Sequence, residues 1–237
     1  MQNKVYAMIP ARIGSKRLKF KNLAILNDKP LIYYAIKSAK NSGIFDKIYL
    51  NSDDKIFSKI AKRYKIDFYK RNKKLGSSKT KSDSVVSDFM RNFPQADIVV
   101  WVNPIAPFQT GKEIKKIVTF FKKKKIDSLI TVENKKLHCN FNNKPLNYLK
   151  KSKFEKTQDL KEIQMFVYSL MMWKRKRFIR DYKKNKSAIL CGKSHFYAVK
   201  NPSTIIIKSK EDLMLADFIM KSKSKKFILK YDKIKKN

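Results

Sequence analysis

Four cations surround one turn near the N-terminus: Arg12, Lys16, Arg17 and Lys21. The turn follows a short apolar run, residues 5–9, that predicts a buried strand ending at Pro10. Gly14 and Ser15 allow a tight turn with exposed backbone N–H groups. Amide hydrogens and positive charges at the carboxyl end of a strand suit the binding of a polyphosphate. The same residues are typical of a solvated basic turn in a lysine-rich protein, and their spacing alone leaves both interpretations open.

A second candidate binding loop follows the most apolar run of the chain, residues 96–102. A continuous apolar run of this length predicts a central strand that is buried on both faces. Pro104 and Pro107 fix an extended loop at the carboxyl end of that strand, where open α/β sheets bind their ligands. Asn103 begins the loop, and its side-chain amide can both donate and accept hydrogen bonds.

The elements that must position these loops alternate between strands and helices. Apolar runs predict strands at residues 5–9, 47–51, 66–69, 96–102, 127–132, 165–173 and 196–199. Helical spacing predicts helices at residues 31–43, 54–64, 85–93, 113–121, 178–186 and 212–220. Ser52, Asp53 and Asp54 are expected to cap the second helix. This order predicts an α/β fold, doubly wound, with a mostly parallel sheet and helices on both faces.

The length of the chain allows a single domain over residues 1–237 with a sizeable core. Residues from about 134 to about 165 are polar and rich in turns, which predicts a small excursion from the sheet. Residues from about 222 to 237 are mostly Lys, which predicts a loosely held basic tail.

The amino-acid composition indicates which binding partners and which cellular compartment to expect for this protein. A net charge of +38 would attract nucleic acid, anionic lipid or anionic substrates. Only eight of the 57 cations are Arg, and no nucleic-acid recognition motif is present, so no dedicated nucleic-acid binding is expected. Cys139 and Cys191 lie far apart and are expected to be free thiols in a reducing cytoplasm. The longest apolar stretch, residues 165–173, is far shorter than a membrane span, so no membrane binding is expected.

The first loop resembles the signature of the CMP-sugar synthetases, the acylneuraminate-type cytidylyltransferases that activate sialic acids and related 2-keto-3-deoxy sugar acids. The resemblance lies in Ala-Arg-x-Gly-Ser-Lys at residues 11–16, followed by Lys-Asn at residues 21–22. It continues through residues 29–32 and 51–54, and Arg71 falls where that family has an arginine near the cytosine base. It implies a Rossmann-like nucleotidyltransferase fold in which the first loop wraps the triphosphate of CTP.

The resemblance also implies roles for individual residues. Nucleotide binding is implied for Ala11, Arg12, Gly14, Ser15, Lys16, Lys21, Asn22 and Arg71. Arg12 and Lys21 would be the catalytic residues among them. The family counterpart of residues 103–111 reads Gln-Pro-Thr-Ser-Pro-Leu-Arg-Thr-Gly, so Asn103 and Gln109 would face the sugar, with Asn in place of Gln and Gln in place of Arg.

The metal site that the resemblance implies departs from the family pattern. CMP-sialic acid synthetases carry Asp-Ile-Asp on a strand near the C-terminus, and Mg²⁺ is expected there. This chain has Ile206 and Lys208 at the two Asp positions, so the metal ligands are not identifiable. Three explanations stay open: loss of catalysis, ligation by other acids such as Asp212 or Asp53, and replacement of the metal by the charge of Lys208.

The predicted reaction is the transfer of CMP from CTP to a sialic acid-like 2-keto-3-deoxy sugar acid, with release of pyrophosphate, for surface glycan biosynthesis. The resemblance implies a homodimer in which the excursion at about 134–165 takes part. One alternative is a catalytically degenerate or altered-specificity paralogue that binds nucleotide without the usual Mg²⁺-dependent transfer. Another is a basic module that binds polyanions through its charge. The sequence leaves the identity of the sugar acid open.

Overall fold

A computed structural model describes residues 3–150 and 154–222 of the chain. The strands in these ranges are β1 (Val5–Ala11), β2 (Ile25–Leu26), β3 (Lys29–Pro30), β4 (Lys47–Ser52), β5 (Asp67–Lys70), β6 (Ile98–Val102), β7 (Ser128–Lys135), β8 (Asn140–Phe141), β9 (Lys144–Pro145), β10 (Ile163–Lys174) and β11 (Ser194–Ala198). The helices are α1 (Ile32–Ser42), α2 (Ile56–Tyr64), α3 (Ser82–Asn92), α4 (Gly111–Lys123), α5 (Arg175–Asn185) and α6 (Lys210–Ser222). Short 3₁₀ turns lie at Lys21–Leu23, Lys73–Gly76 and Thr157–Asp159.

The central sheet has seven strands in the order β11-β7-β10-β6-β1-β4-β5. β10 runs antiparallel to both of its neighbours, and the remaining pairs are parallel. After β1 the chain adds β4 and then β5 on one side of it. The chain then returns to place β6 on the other side of β1, so the strand order reverses between β1 and β6. Ligands bind outside the carboxyl ends of the strands at such a switch point.

Helices cover both faces of the sheet, which confirms the predicted doubly wound α/β fold. Apolar side chains of α1, α2 and α4 form one buried cluster with the odd-numbered residues of β1. Side chains of α3 and α5 form a second cluster around Trp173 on the opposite face. A smaller cluster at the edge joins β2, the loop after β6 and α6. The two large clusters follow from the alternation of side chains along buried strands.

Two predictions of local structure were wrong. Pro10 does not end the first strand, because β1 continues through Pro10 to Ala11. The pairing of β1 with β6 ends at Met8, whereas its pairing with β4 continues past Pro10. Asp53 does not cap the second helix: its carboxylate pairs with Arg71 instead. Asp54 accepts a hydrogen bond from the N–H of Ile56 at 2.8 Å, so it makes the expected local contact at the helix start.

The polar segment predicted at about 134–165 lies between β7 and β10. Both strands reach further into it than predicted, to Lys135 and from Ile163, so the described residues outside the sheet are 136–150 and 154–162. This segment contains the β8–β9 hairpin and large apolar side chains that are more than half exposed: Phe141, Leu146, Leu149 and Phe154. The predicted basic tail lies outside the described residues apart from Ser222. Among the described helices, none has the length and apolar character that crossing a membrane requires.

Candidate functional site

A cavity of about 290 Å³ opens at the carboxyl ends of β1, β5 and β6. The residues that line it come from four segments: Pro10, Arg12, Ser15, Lys21 and Asn22; Arg71; Leu75, Ser77, Ser78, Thr80, Ser82 and Val85; and Trp101, Asn103, Pro104 and Ile105. The cavity therefore lies where the strand order of the sheet reverses. Its wall combines cations from the first loop with hydroxyl groups from the segment that leads into α3.

Six of the residues singled out in the sequence meet at this cavity: Arg12, Ser15, Lys21, Asn22, Arg71 and Asn103. Ala11 lies just behind its wall, where its carbonyl accepts a hydrogen bond from Arg71 Nη2 at 3.2 Å. Gly14 and Lys16 are exposed on the same loop. A Cβ atom built on Gly14 would meet no heavy atom within 4 Å, so the backbone is open to an approaching ligand there.

Gln109 lies away from the residues that line the cavity. It is only 4% exposed, and its Nε2 donates a hydrogen bond to Glu113 Oε2 at 3.3 Å in the first turn of α4. The hydroxyl of Ser38, in α1, donates a hydrogen bond to the backbone carbonyl of Gln109, which ties Gln109 to that helix. Asn103, in contrast, lines the cavity while its Nδ2 donates to the carbonyl of Tyr168 at 2.9 Å.

Arg71 is the most firmly held of the cations at the cavity, with 4% of its surface exposed. Its Nη1 donates to the carbonyl and to Oδ1 of Asn51, at 3.0 and 3.2 Å. Its Nη2 donates to the carbonyl of Ala11 and to Asp53 Oδ1, at 3.2 and 3.1 Å. Burial lowers the pKa of Arg71, and the pairing with Asp53 offsets part of this effect. The guanidinium joins the ends of β1, β4 and β5.

Three polar atoms of the cavity residues are buried without a hydrogen-bond partner in the structure: Asn22 Oδ1, Arg71 Nε and Trp101 Nε1. One of them accepts hydrogen bonds and two donate them. A buried polar atom without a partner costs about 1–3 kcal/mol. Since all three belong to residues that line one cavity, they suit a ligand that has both donors and acceptors.

Lys21 is held at the rim of the cavity by a contact with the last loop of the described chain. Its Nζ donates to the carbonyl of Ile207 at 3.2 Å. The pKa of Lys21 is lowered to about 8, chiefly by burial and then by the charges of Arg17 and Arg12. Asp212 acts in the opposite direction. The structure thus concentrates positive charge at this rim and thereby disfavours the charged form of Lys21.

The residues at this rim do not fit the Mg²⁺ site that the resemblance implies. Ile206 packs against the large core cluster, and Lys208 is exposed. Asp212 accepts the backbone N–H groups of Lys208 and Ser209, at 2.7 and 2.9 Å. Burial raises the pKa of Asp212, but these hydrogen bonds outweigh it and the pKa is lowered overall.

Asp53, the other acid considered as a replacement ligand, is paired with Arg71 at 3.1 Å. Over the ranges that the structure describes, no group of three or more His, Cys, Asp and Glu side chains is arranged to hold a metal ion. Mg²⁺ is usually held by one or two carboxylates, and here Asp53 Oδ1 is paired with Arg71 while Asp212 Oδ2 accepts two backbone N–H groups.

Some cavity residues could not be found from the sequence. Trp101 lies inside the most apolar run and was assigned to the core, yet it lines the cavity and its indole N–H is unpaired. Ser77, Thr80 and Ser82 belong to a segment in which Ser and Lys are common, so composition did not distinguish them. A polar atom at the carboxyl end of a central strand is the signal that would have pointed to Trp101.

The sequence of the chain is similar to those of two known sugar-acid cytidylyltransferases. Over 248 residues the chain is 25% identical to the N-acylneuraminate cytidylyltransferase of Escherichia coli O18:K1:H7, an alignment that covers 99% of this chain and 56% of that protein. Over 83 residues it is 45% identical to the pseudaminic acid cytidylyltransferase of Campylobacter jejuni serotype O:2, covering 34% of this chain and 35% of that protein. The chain thus spans little more than half of the length of the first relative and about a third of the second.

The fold is also that of a solved structure of CMP:2-keto-3-deoxy-manno-octonic acid synthetase complexed with CTP. The TM-score is 0.70 at 13% sequence identity, and the match covers 93% of this chain and 100% of that chain. A family model described as cytidylyltransferase matches residues 6–180, well over half of the chain. The chain therefore belongs to the cytidylyltransferase family.

Proposed function

We propose that the chain transfers CMP from CTP to a sialic acid-like 2-keto-3-deoxy sugar acid, releases pyrophosphate and supplies CMP-sugars for surface glycan biosynthesis. This proposal rests on the cavity between β1 and β6, where the strand order of the sheet reverses. It combines a cationic rim with buried, unpaired donors and an unpaired acceptor, which suits a ligand with a triphosphate and a heterocyclic base. The names of the relatives, which act on N-acylneuraminate and pseudaminic acid, support an acidic sugar as the acceptor.

In this proposal the first loop holds the triphosphate. Arg12, Ser15, Lys16 and Lys21 bind the phosphates, and the backbone at Gly14 lets the phosphates approach closely. Ala11 supports the nucleotide site from behind, because its carbonyl accepts a hydrogen bond from Arg71. Asn22 and Arg71 place the nucleotide, each with one unpaired polar atom for it. Asn103 faces the sugar across the cavity. Gln109 was predicted to face the sugar; because it is buried against Glu113, we propose that it shapes the sugar-binding loop instead.

The chemistry requires little covalent participation from the protein. The oxygen of the sugar's anomeric hydroxyl forms a bond with the α-phosphorus of CTP. The bond from that phosphorus to the bridging oxygen of the β-phosphate breaks, pyrophosphate leaves and the hydroxyl proton is released. Such transfers are accelerated mainly by positioning and by stabilisation of negative charge. Arg12 and Lys21 are the catalytic residues in this sense, because they neutralise charge that develops on the phosphates.

The first experiment is a thermal shift measurement with CTP, ATP, GTP and UTP. A ligand that binds the folded state raises the melting temperature, so we expect the largest rise with CTP. Arg12→Ala and Lys21→Ala should each reduce that rise. If CTP binding is unchanged in both variants, the loop does not hold the triphosphate and the proposal fails.

Two other outcomes would favour the alternatives. Equal small shifts with all four nucleotides, together with steeply salt-dependent binding to nucleic acid, would indicate a polyanion-binding module. A CTP-specific shift without CMP-sugar formation from sialic-type acids would indicate a paralogue that binds nucleotide without transfer. Ile206 and Lys208, which cannot ligate Mg²⁺, favour this second alternative over the first.

The same proposal extends to assembly and location. We propose that residues 1–237 form one domain and that two copies associate through the excursion at residues 136–162, whose large apolar side chains are exposed. We also propose a cytoplasmic location, since the free thiols Cys139 and Cys191 are compatible with a reducing compartment.

A further inference from the structure

Lys208 lies on a segment that two other parts of the cavity hold in place. The neighbouring residue, Ile207, is fully buried, and its N–H donates to the carbonyl of Ile105 at 2.9 Å. The carbonyl of Ile207 accepts the hydrogen bond from Lys21 Nζ at 3.2 Å. Since Ile105 and Lys21 both line the cavity, the backbone at Lys208 is anchored to its rim.

Asp212 fixes the direction of the same segment. Its Oδ2 accepts the backbone N–H of Lys208 at 2.7 Å and that of Ser209 at 2.9 Å. The carboxylate is therefore used to begin α6 and hold the loop, while the side chain of Lys208 stays exposed. The family pattern has a metal-binding carboxylate where this chain presents a primary ammonium group.

The charges around Lys208 favour a phosphate group over a divalent cation at this rim. Lys21 interacts electrostatically with Arg12, Arg17 and Lys208, and the carboxylate of Asp212 opposes these three cations. A divalent cation brought to this rim would meet repulsion from several positive charges, and Asp212 Oδ2 already accepts two backbone N–H groups. A triphosphate, in contrast, would be attracted by all of these positive charges. An ammonium group donates three hydrogen bonds and binds phosphate as a point charge.

We infer that Lys208 binds the nucleotide's phosphates in place of a divalent cation, so that this site takes up free, metal-uncomplexed CTP. The inference rests on the proposed function for the identity of the nucleotide, and on the geometry of the rim for the role of Lys208. It makes Lys208 a binding residue for the triphosphate and leaves Asp212 as the residue that positions it.

The experiment compares CTP dissociation constants by calorimetry in EDTA and in excess Mg²⁺. We expect binding in EDTA to be at least as tight as in Mg²⁺. Lys208→Ala should weaken binding in EDTA by about ten-fold or more, the effect of losing a hydrogen bond to a charged group. Lys208→Arg should retain most of the affinity because it keeps the charge. Lys210→Ala is the matched control, since Lys210 is exposed two residues along the chain and should bind CTP as the wild type does.

A requirement for Mg²⁺, or equal effects of Lys208→Ala and Lys210→Ala, would overturn the inference and leave the proposed function standing. Inorganic tripolyphosphate in EDTA separates the two proposals further. Suppose that tripolyphosphate binds, that Lys208→Ala weakens this binding, and that CTP binds no more tightly than other nucleotides. The role of Lys208 in binding phosphates then holds, and the assignment of CTP as the ligand fails. If neither CTP nor tripolyphosphate binds in EDTA, the inference is wrong.

Discussion

At the scale of single residues, the cavity keeps charges and polar atoms in places that do not favour the folded state. Lys21 is the clearest case, because burial and two neighbouring guanidinium groups make its positive charge unfavourable. A ligand with several negative charges would remove that penalty. The same reasoning applies to Asn22, Arg71 and Trp101, each of which has a buried polar atom that lacks a partner. Functional sites commonly carry such costs.

Lys21→Met should therefore raise the melting temperature of the ligand-free protein at pH 7. The pKa of Lys21 is about 8 in the folded protein against 10.5 for an ordinary lysine. Between these values the unfolded chain binds more protons, so this group's contribution to stability rises with pH across that window, and its full penalty is present below it. The gain from Lys21→Met should be largest near pH 7 and should vanish towards pH 10.5.

Differential scanning calorimetry over this pH range measures the effect. Lys29→Met is the matched control, because Lys29 is exposed and its substitution should leave stability nearly unchanged.

CTP affinity should fall in the wild type as the pH rises above about 8, since Lys21 then loses its proton. Lys21→Arg should abolish this loss. A pH-independent affinity in the wild type would contradict the role given to Lys21.

Trp101→Phe should weaken CTP binding while leaving the fold intact. The substitution keeps an aromatic ring in the cavity wall and removes the unpaired indole N–H. If that N–H donates to the nucleotide, affinity should fall about 3- to 10-fold, the effect of one ordinary hydrogen bond. Titration calorimetry gives the dissociation constants.

The second tryptophan of the chain provides the control for this prediction. Trp173 is fully buried in the cluster against which Trp101 packs, but it does not line the cavity, and its Nε1 donates to the carbonyl of Ile189 at 2.8 Å. Trp173→Phe should lower stability and leave CTP affinity unchanged. Equal affinities of Trp101→Phe and the wild type would remove Trp101 from the site.

At the scale of elements, the cavity depends on how the helices are placed against the sheet. α4 begins at Gly111, directly after the loop that contains Asn103, and its N-cap Thr110 accepts the N–H of Glu113 at 3.1 Å. Gly111 packs against the end of α1, where a Cβ atom would lie 2.7 Å from the backbone carbon of Asn41 and 2.8 Å from the nitrogen of Ser42. The absence of a side chain at Gly111 sets the distance between α1 and α4.

Gly111→Ala should destabilise the protein by about 1–3 kcal/mol, the range for overpacking a well-packed contact. The clash is with backbone atoms, so a change of rotamer cannot relieve it. The free energy of unfolding in urea, measured without ligand, tests this. Gly14→Ala is the matched control, because an added Cβ there meets nothing within 4 Å and its stability should stay near that of the wild type. Equal stabilities of the two variants would contradict the packing argument.

At the scale of the whole molecule, the excursion and the charge are the features that the core does not explain. Phe141, in β8, is 65% exposed, and Leu146, directly after β9, is 62% exposed. Large apolar side chains exposed together are typical of a surface that meets another protein. A net charge of +38 opposes association of two copies, so the contact between them would need an apolar surface of this kind.

We expect the chain of 28.0 kDa to sediment as a dimer. Phe141→Ser combined with Leu146→Ser should shift the equilibrium towards the monomer, because it removes apolar surface from the contact. Sedimentation equilibrium at several salt concentrations measures this, and high salt should favour the dimer by screening repulsion. Ile25→Ser, which removes an equally exposed side chain beside α6, should leave the dimer unchanged. A wild-type chain that is monomeric at all concentrations would contradict the prediction.

The sequence by itself determined the alternation of strands and helices, the helices on both faces and the first loop. These features are encoded locally, because apolar periodicity follows the geometry of each element and the Ala-Arg-x-Gly-Ser-Lys run is contiguous. The placement of the two binding loops at the carboxyl ends of strands also followed from the sequence, whereas the strand order and its reversal came from the structure.

Only the tertiary structure decided how distant residues are paired. Lys21 meets the carbonyl of Ile207 across a separation of 186 residues, and Arg71 takes Asp53 away from the helix cap that its spacing suggested. Gln109 is buried although its position in the loop suggested a contact with the sugar, and Trp101 lines the cavity although its apolar neighbours suggested the core. Each outcome depends on which side chains compete for the same space and partner, and local sequence patterns do not contain that competition.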